Sequence, residues 1–537
     1  MDTMKYVRAA LMCFAVITGL SAATQDVTIQ TQSNYNSWGT GWDSVYVMKN
    51  NVTTIAIVPK IGGRIMQYDI AGHASMYVDN TNKGKVPTAS ALLGGFRTLA
   101  SPQSSFTWPP SPRLEVGAYT CAIRANTADS GVIYLESQVE NTTNDNLKNP
   151  NLDGLQFKRT ITLYKSSSHV KVEMTMANKG AKTLVPHGIW DITECVCMNN
   201  NVLDTSNIWL YFPLNPASTM GGGKGYAQLQ GTDASQWKPN TAPGGIMGVV
   251  YRRKEAKIGA DSKAGWICYV DRLGGYAYVK RFMYETGKTY PDSGSSVEVY
   301  TSGTTAFLEE EVMGPLATLA PNDSVSMTEN WFAARSLGPV LAVNDAGLIT
   351  NKLTVQQSHD TVKAQGTYGV FYQGIVKSLF KNGSGTTVAV ADSHAVSPLD
   401  SFACNATLKV PATAAKLILA SYGAAGEFIG DLDSASLQTA IIPPPGSTLR
   451  EKNRIPEIAF NAKGNYLSIR TPLHGRYSLE LIDLRGKRVA AAWGKMPSFS
   501  GISMATIPWG VYIVKMALFD SGGAPAGSIE ARRVLMP

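Results

Sequence analysis

The chain of 537 residues is poor in charge: only 16% of its residues are Asp, Glu, Lys or Arg, against 44% hydrophobic residues. With 15 Phe, 23 Tyr and 10 Trp as well, that balance excludes a disordered chain or a coiled coil and leaves a globular protein with a large core. Sustained helical periodicity is nearly absent, which excludes a helical bundle. Cysteine is scarce. Beyond Cys13, the chain holds Cys121, Cys195, Cys197, Cys268 and Cys404. Five at irregular spacing do not describe a disulfide framework, and Cys195-Val196-Cys197 is too tight for a zinc knuckle. Buried small hydrophobes are the expectation, with a single bridge left open. There is no Gly-x-Ser-x-Gly elbow, no His-Glu-x-x-His pair and no aspartate cluster at calcium-loop spacing. Gly221-Gly222-Gly223-Lys224-Gly225 lacks the strand, the Ser or Thr and the helix of a phosphate loop, and reads as a surface loop. No metal and no cofactor is therefore expected.

The N-terminus carries an address. Lys5 and Arg8 precede an apolar run from Ala9 to Leu20, and Ser21-Ala22-Ala23 follows with small residues at cleavage spacing. The run is shorter than the roughly 20 residues that span a bilayer, and no other stretch approaches that length, so no integral membrane segment is expected. Residues 1–23 are read as a signal peptide, and the mature chain as exported: secreted or on the outer cell surface, with the periplasm crossed in transit. Cys13 follows Met12 and not a small residue, which favours ordinary cleavage over lipid attachment.

The formal net charge of +8 is unevenly placed. Residues 452–537 carry 12 basic and 5 acidic side chains, and residues 24–451 are formally neutral. The basic character thus belongs to the C-terminal part, where it suits secretion machinery or an anionic cell surface; the neutral body suits a neutral ligand, and no nucleic-acid partner is expected.

What fills the chain is strand. Runs such as Phe157-Lys158-Arg159-Thr160-Ile161-Thr162-Leu163-Tyr164 and His169-Val170-Lys171-Val172-Glu173-Met174 alternate apolar with polar residues and end at Gly, Asn, Asp or Pro, the pattern of antiparallel strands. An all-β protein is expected. Residues 24–337 form a large sandwich or barrel; residues 338–440 form a small β accessory region, separate from the sandwich or extending it. Ile441-Ile442-Pro443-Pro444-Pro445-Gly446-Ser447 opens a stiff linker over 441–451, and residues 452–537 form a last β unit. In that unit Leu481-Ile482-Asp483-Leu484-Arg485-Gly486-Lys487-Arg488-Val489 reads as strand, turn and strand, followed by Gly510-Val511-Tyr512-Ile513-Val514. It resembles the C-terminal sorting β-sandwich domains of bacterial type IX secretion; an ordinary small sandwich or carbohydrate-binding module is the alternative.

Four segments carry more detail than a generic sandwich needs: Val58-Pro59-Lys60-Ile61-Gly62-Gly63-Arg64-Ile65; Gly94-Gly95-Phe96-Arg97 with Pro102-Gln103 and Trp108-Pro109-Pro110; Tyr290-Pro291-Asp292-Ser293-Gly294 with Val297-Glu298-Val299-Tyr300; and Glu309-Glu310-Glu311-Val312-Met313-Gly314-Pro315. The set and its order resemble an uncharacterised family of the galactose-mutarotase-like (aldose 1-epimerase-like) superfamily, over roughly residues 45–335. That resemblance implies a β-supersandwich and a carbohydrate ligand. In the enzymes of the superfamily a Glu on a late strand takes the anomeric hydroxyl proton while a His on a middle strand protonates the ring oxygen. The matching late strand carries Glu309 and Glu311 on one face, with Glu310 on the other. Two carboxylates on one face raise each other's pKa unless an Arg lies between them; pairing with Arg97 or Arg64 is the alternative reading. On the middle strand, Leu184-Val185-Pro186-His187-Gly188-Ile189-Trp190-Asp191-Ile192-Thr193, the matching position holds Trp190. His187, the imidazole candidate, lies on the opposite face unless Gly188 opens a bulge.

The remaining candidates suit sugar recognition: Trp108 and Trp190 as ring platforms, and Arg97, Gln103 and Asp191 as partners for hydroxyls. The chain is therefore read as an exported carbohydrate-binding or carbohydrate-active protein, with epimerase-like proton transfer as its enzymatic version. A non-catalytic surface protein that binds plant or cell-wall polysaccharide is the alternative, and a glycoside hydrolase or polysaccharide lyase is a third.

Overall fold

The alternation seen in the sequence becomes pairing. A computed structural model describes residues 26–106, 108–142, 150–242 and 244–437, together with strands lying within 466–536. The expected leader and Pro-rich linker lie outside the described residues. The chain divides into two compact units, Met1–Ala440 and Ile441–Pro537.

The first unit is nearly all strand. Among the described residues it holds a sheet of 12 strands and a sheet of 10, both antiparallel. The middle of the larger sheet runs Arg64–Ile70, Gly95–Ser101, Leu184–Val196, Phe307–Met313, Val297–Thr301, Ala256–Ala260. The middle of the smaller runs Ile208–Pro213, Trp266–Asp271, Tyr276–Phe282, Ser324–Arg335, Val170–Asn178. Aromatic side chains of both sheets meet in one buried cluster. Phe96 and Tyr68 come from the first, Trp331 and Tyr278 from the second; Phe96 and Trp331 pack edge to face at 4.8 Å, and Tyr68 and Tyr278 lie 5.2 Å apart.

A charge is buried in the same layer. Lys280, on strand Tyr276–Phe282, reaches across to the other sheet, where its Nζ donates to Asp191 and, at 2.9 Å, to the backbone oxygen of Glu310. Asp191 Oδ1 accepts the backbone N–H of Val312 at 2.6 Å, and Glu329 accepts the Trp331 indole N–H at 2.7 Å. Lys280, Asp191, Glu310 and Glu329 are all buried. Burial pushes the Glu310 carboxyl up to about 8, with Lys280 opposing; it pushes Asp191 and Glu329 up as well.

Residues 338–437 add two four-stranded sheets with a core of their own around Val362, Phe380, Leu417 and Leu432. They also share a hydrophobic cluster with the large sandwich, in which Phe371 stacks on Phe332 at 4.3 Å. All five described cysteines are free thiols, and all but Cys121 are buried. No helix among the described residues is long and apolar enough to cross a membrane. In the second unit, strands Gly475–Asp483 and Arg488–Met496 pair antiparallel within a four-stranded sheet; the turn expected at Gly486 lies outside the described residues.

Breaking a buried pair from one side leaves an uncompensated charge. Lys280→Met is expected to lower the unfolding free energy by about 3–5 kcal/mol. Urea denaturation followed by tryptophan fluorescence measures this, and an unchanged midpoint would contradict the clamp.

Candidate functional site

Because Asp191 and Glu310 turn inward to Lys280, their neighbours turn outward. The register pairs Ile192 with both Arg97 and Glu311, and Glu194 with Glu309; Glu309 in turn faces Tyr300, Glu311 faces Glu298, and Tyr300 faces Lys257. Directly paired residues share a face, so one face of the larger sheet gathers Trp190, Glu194, Arg97, Glu309, Glu311, Glu298, Tyr300 and Lys257. A cavity of about 470 Å³ opens on it, lined among others by Arg97, Gln103, Trp108, Trp190, Glu194, Lys257, Tyr300, Phe307 and Glu309. That volume is within the range of small-ligand clefts.

The first half of the cavity is organised by a glycine turn. Gly62 has φ +72°, and a Cβ there would meet the Glu115 carbonyl oxygen at 1.9 Å; its N–H donates to Gly117 O at 3.0 Å. The turn is therefore pressed against the short helix Pro112–Glu115 and delivers Arg64 beside Glu115. Arg64 donates to Glu115 Oε1 at 3.2 Å and to Gly94 O at 2.9 Å. The same Glu115 oxygen accepts Arg97 Nη1 at 2.7 Å, and Arg97 Nη2 faces Glu309 Oε1 at 3.3 Å and Glu194 Oε1 at 3.6 Å. One guanidinium thus holds three carboxylates.

The second half turns on Lys257, whose Nζ lies 2.9 Å from Glu311 Oε2 and 2.7 Å from Glu298 Oε2. Trp190 Nε1 also donates to Glu311 Oε2, at 2.6 Å, and the ammonium sits 4.6 Å from the Trp190 ring centroid. Burial pushes the Glu309 carboxyl up to about 8; Glu311 adds to this and Arg97 opposes it. Glu298 rises to about 8 for the same reason, against Lys257. Burial works against the charge on Arg97 and on Lys257, but the surrounding carboxylates outweigh it and raise both.

Arg97, Gln103, Trp108, Trp190 and Glu309 meet at this one cavity, with Glu311 one step deeper at Lys257. Trp108 is 49% exposed and offers a ring face, with the Arg97 guanidinium 5.9 Å from its centroid. Trp190 is 2% exposed and lies under the Lys257 ammonium, so it forms the wall and not a platform. Two residues are elsewhere. Asp191 faces the inter-sheet core and is occupied by Lys280 and Val312 N. His187 is buried outside the cavity, its ring nitrogens against Ser101 O at 3.3 Å and Asn151 O at 3.1 Å. The register shift lies between Leu184 and His187, before Gly188, so the odd offset from Trp190 persists and His187 does not return to the site face.

Glu194, Glu298, Lys257 and Tyr300 belong to the site although they were not among the sequence candidates. Parity would have found Glu194, four residues beyond Trp190 on the same strand, and Glu298 and Tyr300 in a strand already singled out. Nothing in Ala256-Lys257-Ile258 marks its lysine. Among the described residues no group of three or more His, Cys, Asp or Glu is arranged to hold a metal ion.

No family model matches the chain, and no curated protein matches it by sequence. Solved structures do match. A galactose mutarotase-like protein from Clostridium acetobutylicum is 10% identical, with 58% of this chain and 100% of that one covered and a TM-score of 0.37. A galactose mutarotase-like protein from Lactobacillus casei is 10% identical, over 54% of this chain and 100% of that one, with a TM-score of 0.36. The Slr1438 protein from Synechocystis is 13% identical, over 54% of this chain and 96% of that one, with a TM-score of 0.37. The solved structures to which the chain is similar thus include galactose mutarotase-like proteins.

Proposed function

We propose that the chain is an exported carbohydrate-active protein whose cavity carries epimerase-like proton transfer on a sugar, with Glu309 as the base. The observation that supports this reading is the placement of Glu309. One oxygen is held by Arg97, the other accepts no hydrogen bond among the described residues, and the carboxyl titrates near 8 at the wall of a cavity flanked by the exposed Trp108 ring. A carboxylate of that basicity takes the anomeric hydroxyl proton more readily than an ordinary one. As O1–H is lost, the O1–C1 bond becomes a carbonyl, the C1–O5 bond breaks, and O5 receives a proton from an acid. Tyr300, directly opposite Glu309 on the neighbouring strand, is the phenol placed for that role. Burial and the neighbouring carboxylates push it up to about 12, so it stays protonated. Reclosure on the other face of C1 returns both protons.

A second reading is favoured by one observation: no imidazole lines the cavity among the described residues. In this reading the same cavity binds a polysaccharide end without chemistry. The leader over 1–23 and the C-terminal unit over 452–537 serve, in either reading, to export the protein and display it.

Polarimetry on freshly dissolved α-glucose and α-galactose separates the two. The enzymatic reading expects acceleration that rises with pH as Glu309 loses its proton through about 8, a loss of at least a hundredfold in Glu309→Gln, and a smaller loss in Tyr300→Phe. No acceleration by the wild type would leave the binding reading alone. Trp108→Ala is expected to weaken sugar binding several-fold, about 1 kcal/mol for a lost ring face, measured by titration calorimetry. Deleting residues 452–537 is expected to leave sugar binding intact and to retain the protein in the periplasm; cell fractionation reads this, and release of the truncated chain would contradict the sorting role.

A further inference from the structure

The register on the cavity face draws a line. Five directly paired residues on neighbouring strands of the larger sheet, Glu194, Glu309, Tyr300, Lys257 and Gln230, stand in one row across it, and all five line the cavity. Directly paired side chains share a face, so the cavity is a groove that runs across the strands and not a pit at one residue. Three strand spacings separate Glu309 from Gln230, about 14 Å along the sheet. A single pyranose is about as wide as one such spacing, so a monosaccharide held at Glu309 leaves the rest of the row uncovered. An independent observation concerns the far end. Glu194, Glu309 and Lys257 are buried and Tyr300 is half-buried, whereas Gln230 and Glu255 are exposed, so the groove leads from the buried carboxylates out to solvent. There Gln230 Nε2 donates to Glu255 Oε1 at 2.7 Å, and an amide and a carboxylate held together in this way offer partners to hydroxyls. Between Glu309 and that pair, the rings of Tyr300 and Phe307 lie 6.2 Å apart and give the wall an apolar stretch.

Resting on the sugar-site reading above, we propose that the cavity takes the reducing end of an oligosaccharide, about three units long by the strand spacing, in preference to a free monosaccharide. The terminal unit lies at Glu309 beside the Trp108 ring, because only the reducing residue carries the free anomeric hydroxyl that Glu309 addresses. The next units cover Tyr300 and Lys257 and reach Gln230 and Glu255. Each added unit buries more ring face and gains hydroxyl contacts until Gln230 is passed; beyond it the chain runs into solvent and affinity stops rising.

The test is titration calorimetry on the full-length protein with glucose and galactose and with malto-, cello- and galacto-oligosaccharides of two to six units. In one of these series affinity is expected to rise at least tenfold from the monosaccharide to the trisaccharide and to change less than twofold from the fourth unit onward. Reduction of the terminal residue of the tightest binder to its alditol is expected to lower affinity at least tenfold. Gln230→Ala and Glu255→Ala, both at exposed positions, are each expected to lower the ratio of trisaccharide to monosaccharide affinity at least fivefold. Equal affinity at every length, a rise that continues through the sixth unit, or full affinity of the alditol overturns this inference and leaves the sugar site standing. Failure of every sugar to bind overturns both.

Discussion

The structure depends on a buried ammonium. Lys280 projects from the smaller sheet and is gripped by Asp191 and by the backbone of Glu310, on neighbouring strands of the larger one. Side chains alternate along a strand, so this single inward contact fixes the facing of every residue on strands Leu184–Val196 and Phe307–Met313. Trp190, Ile192 and Glu194 are outward because Asp191 is inward; Glu309 and Glu311 are outward because Glu310 is inward. A slip of one residue in Phe307–Met313 would turn the site glutamates into the apolar layer, and one in Leu184–Val196 would take Asp191 away from Lys280. The ion pair is costly to bury, and its return is in register.

On the outward face the same economy appears with the signs reversed. Few cations hold many carboxylates, and the geometry is passed along contacts: the Gly62 turn presses on the Glu115 backbone, Glu115 orients Arg97, and Arg97 faces Glu309 and Glu194. Each carboxylate is stabilised by a cation that it must share, and Glu311 adds to the rise that burial imposes on Glu309 and Glu298. A sandwich held only by its core has no need of such an arrangement, which is why the proposed function is placed at the cavity and not in the larger apolar layer.

Much of this is legible in the sequence. Period-two alternation gave the all-β class, because strands with one buried face write that face into the sequence. The Gly62-Gly63-Arg64 and Glu309-Glu310-Glu311 segments stood out because turns with positive φ and charges inside apolar strands are expensive and so conspicuous. The expectations for Asp191 and His187 did not lead to the cavity. Asp191 sits beside Trp190 in sequence, and adjacency in a strand means opposite faces. His187 could reach the site face only through a bulge after it, and the irregularity falls before it. Lys257 was invisible because a lysine in a short strand looks like any solvated lysine until the partners 41 and 54 positions away, Glu298 and Glu311, are brought beside it.

Arg97 gathers carboxylates that lie 18 positions away at Glu115 and 212 at Glu309. No contiguous portion of the chain shorter than that span contains the cavity. Until the later strands form, the earlier part of the sheet presents Arg97 with Glu115 and Glu194 but nothing to close the far wall. The cavity is complete only when Phe307–Met313 lies between Leu184–Val196 and Val297–Thr301. The cavity is thereby withheld from every incomplete form of the chain, and a chain cut anywhere between these strands before folding could not close it.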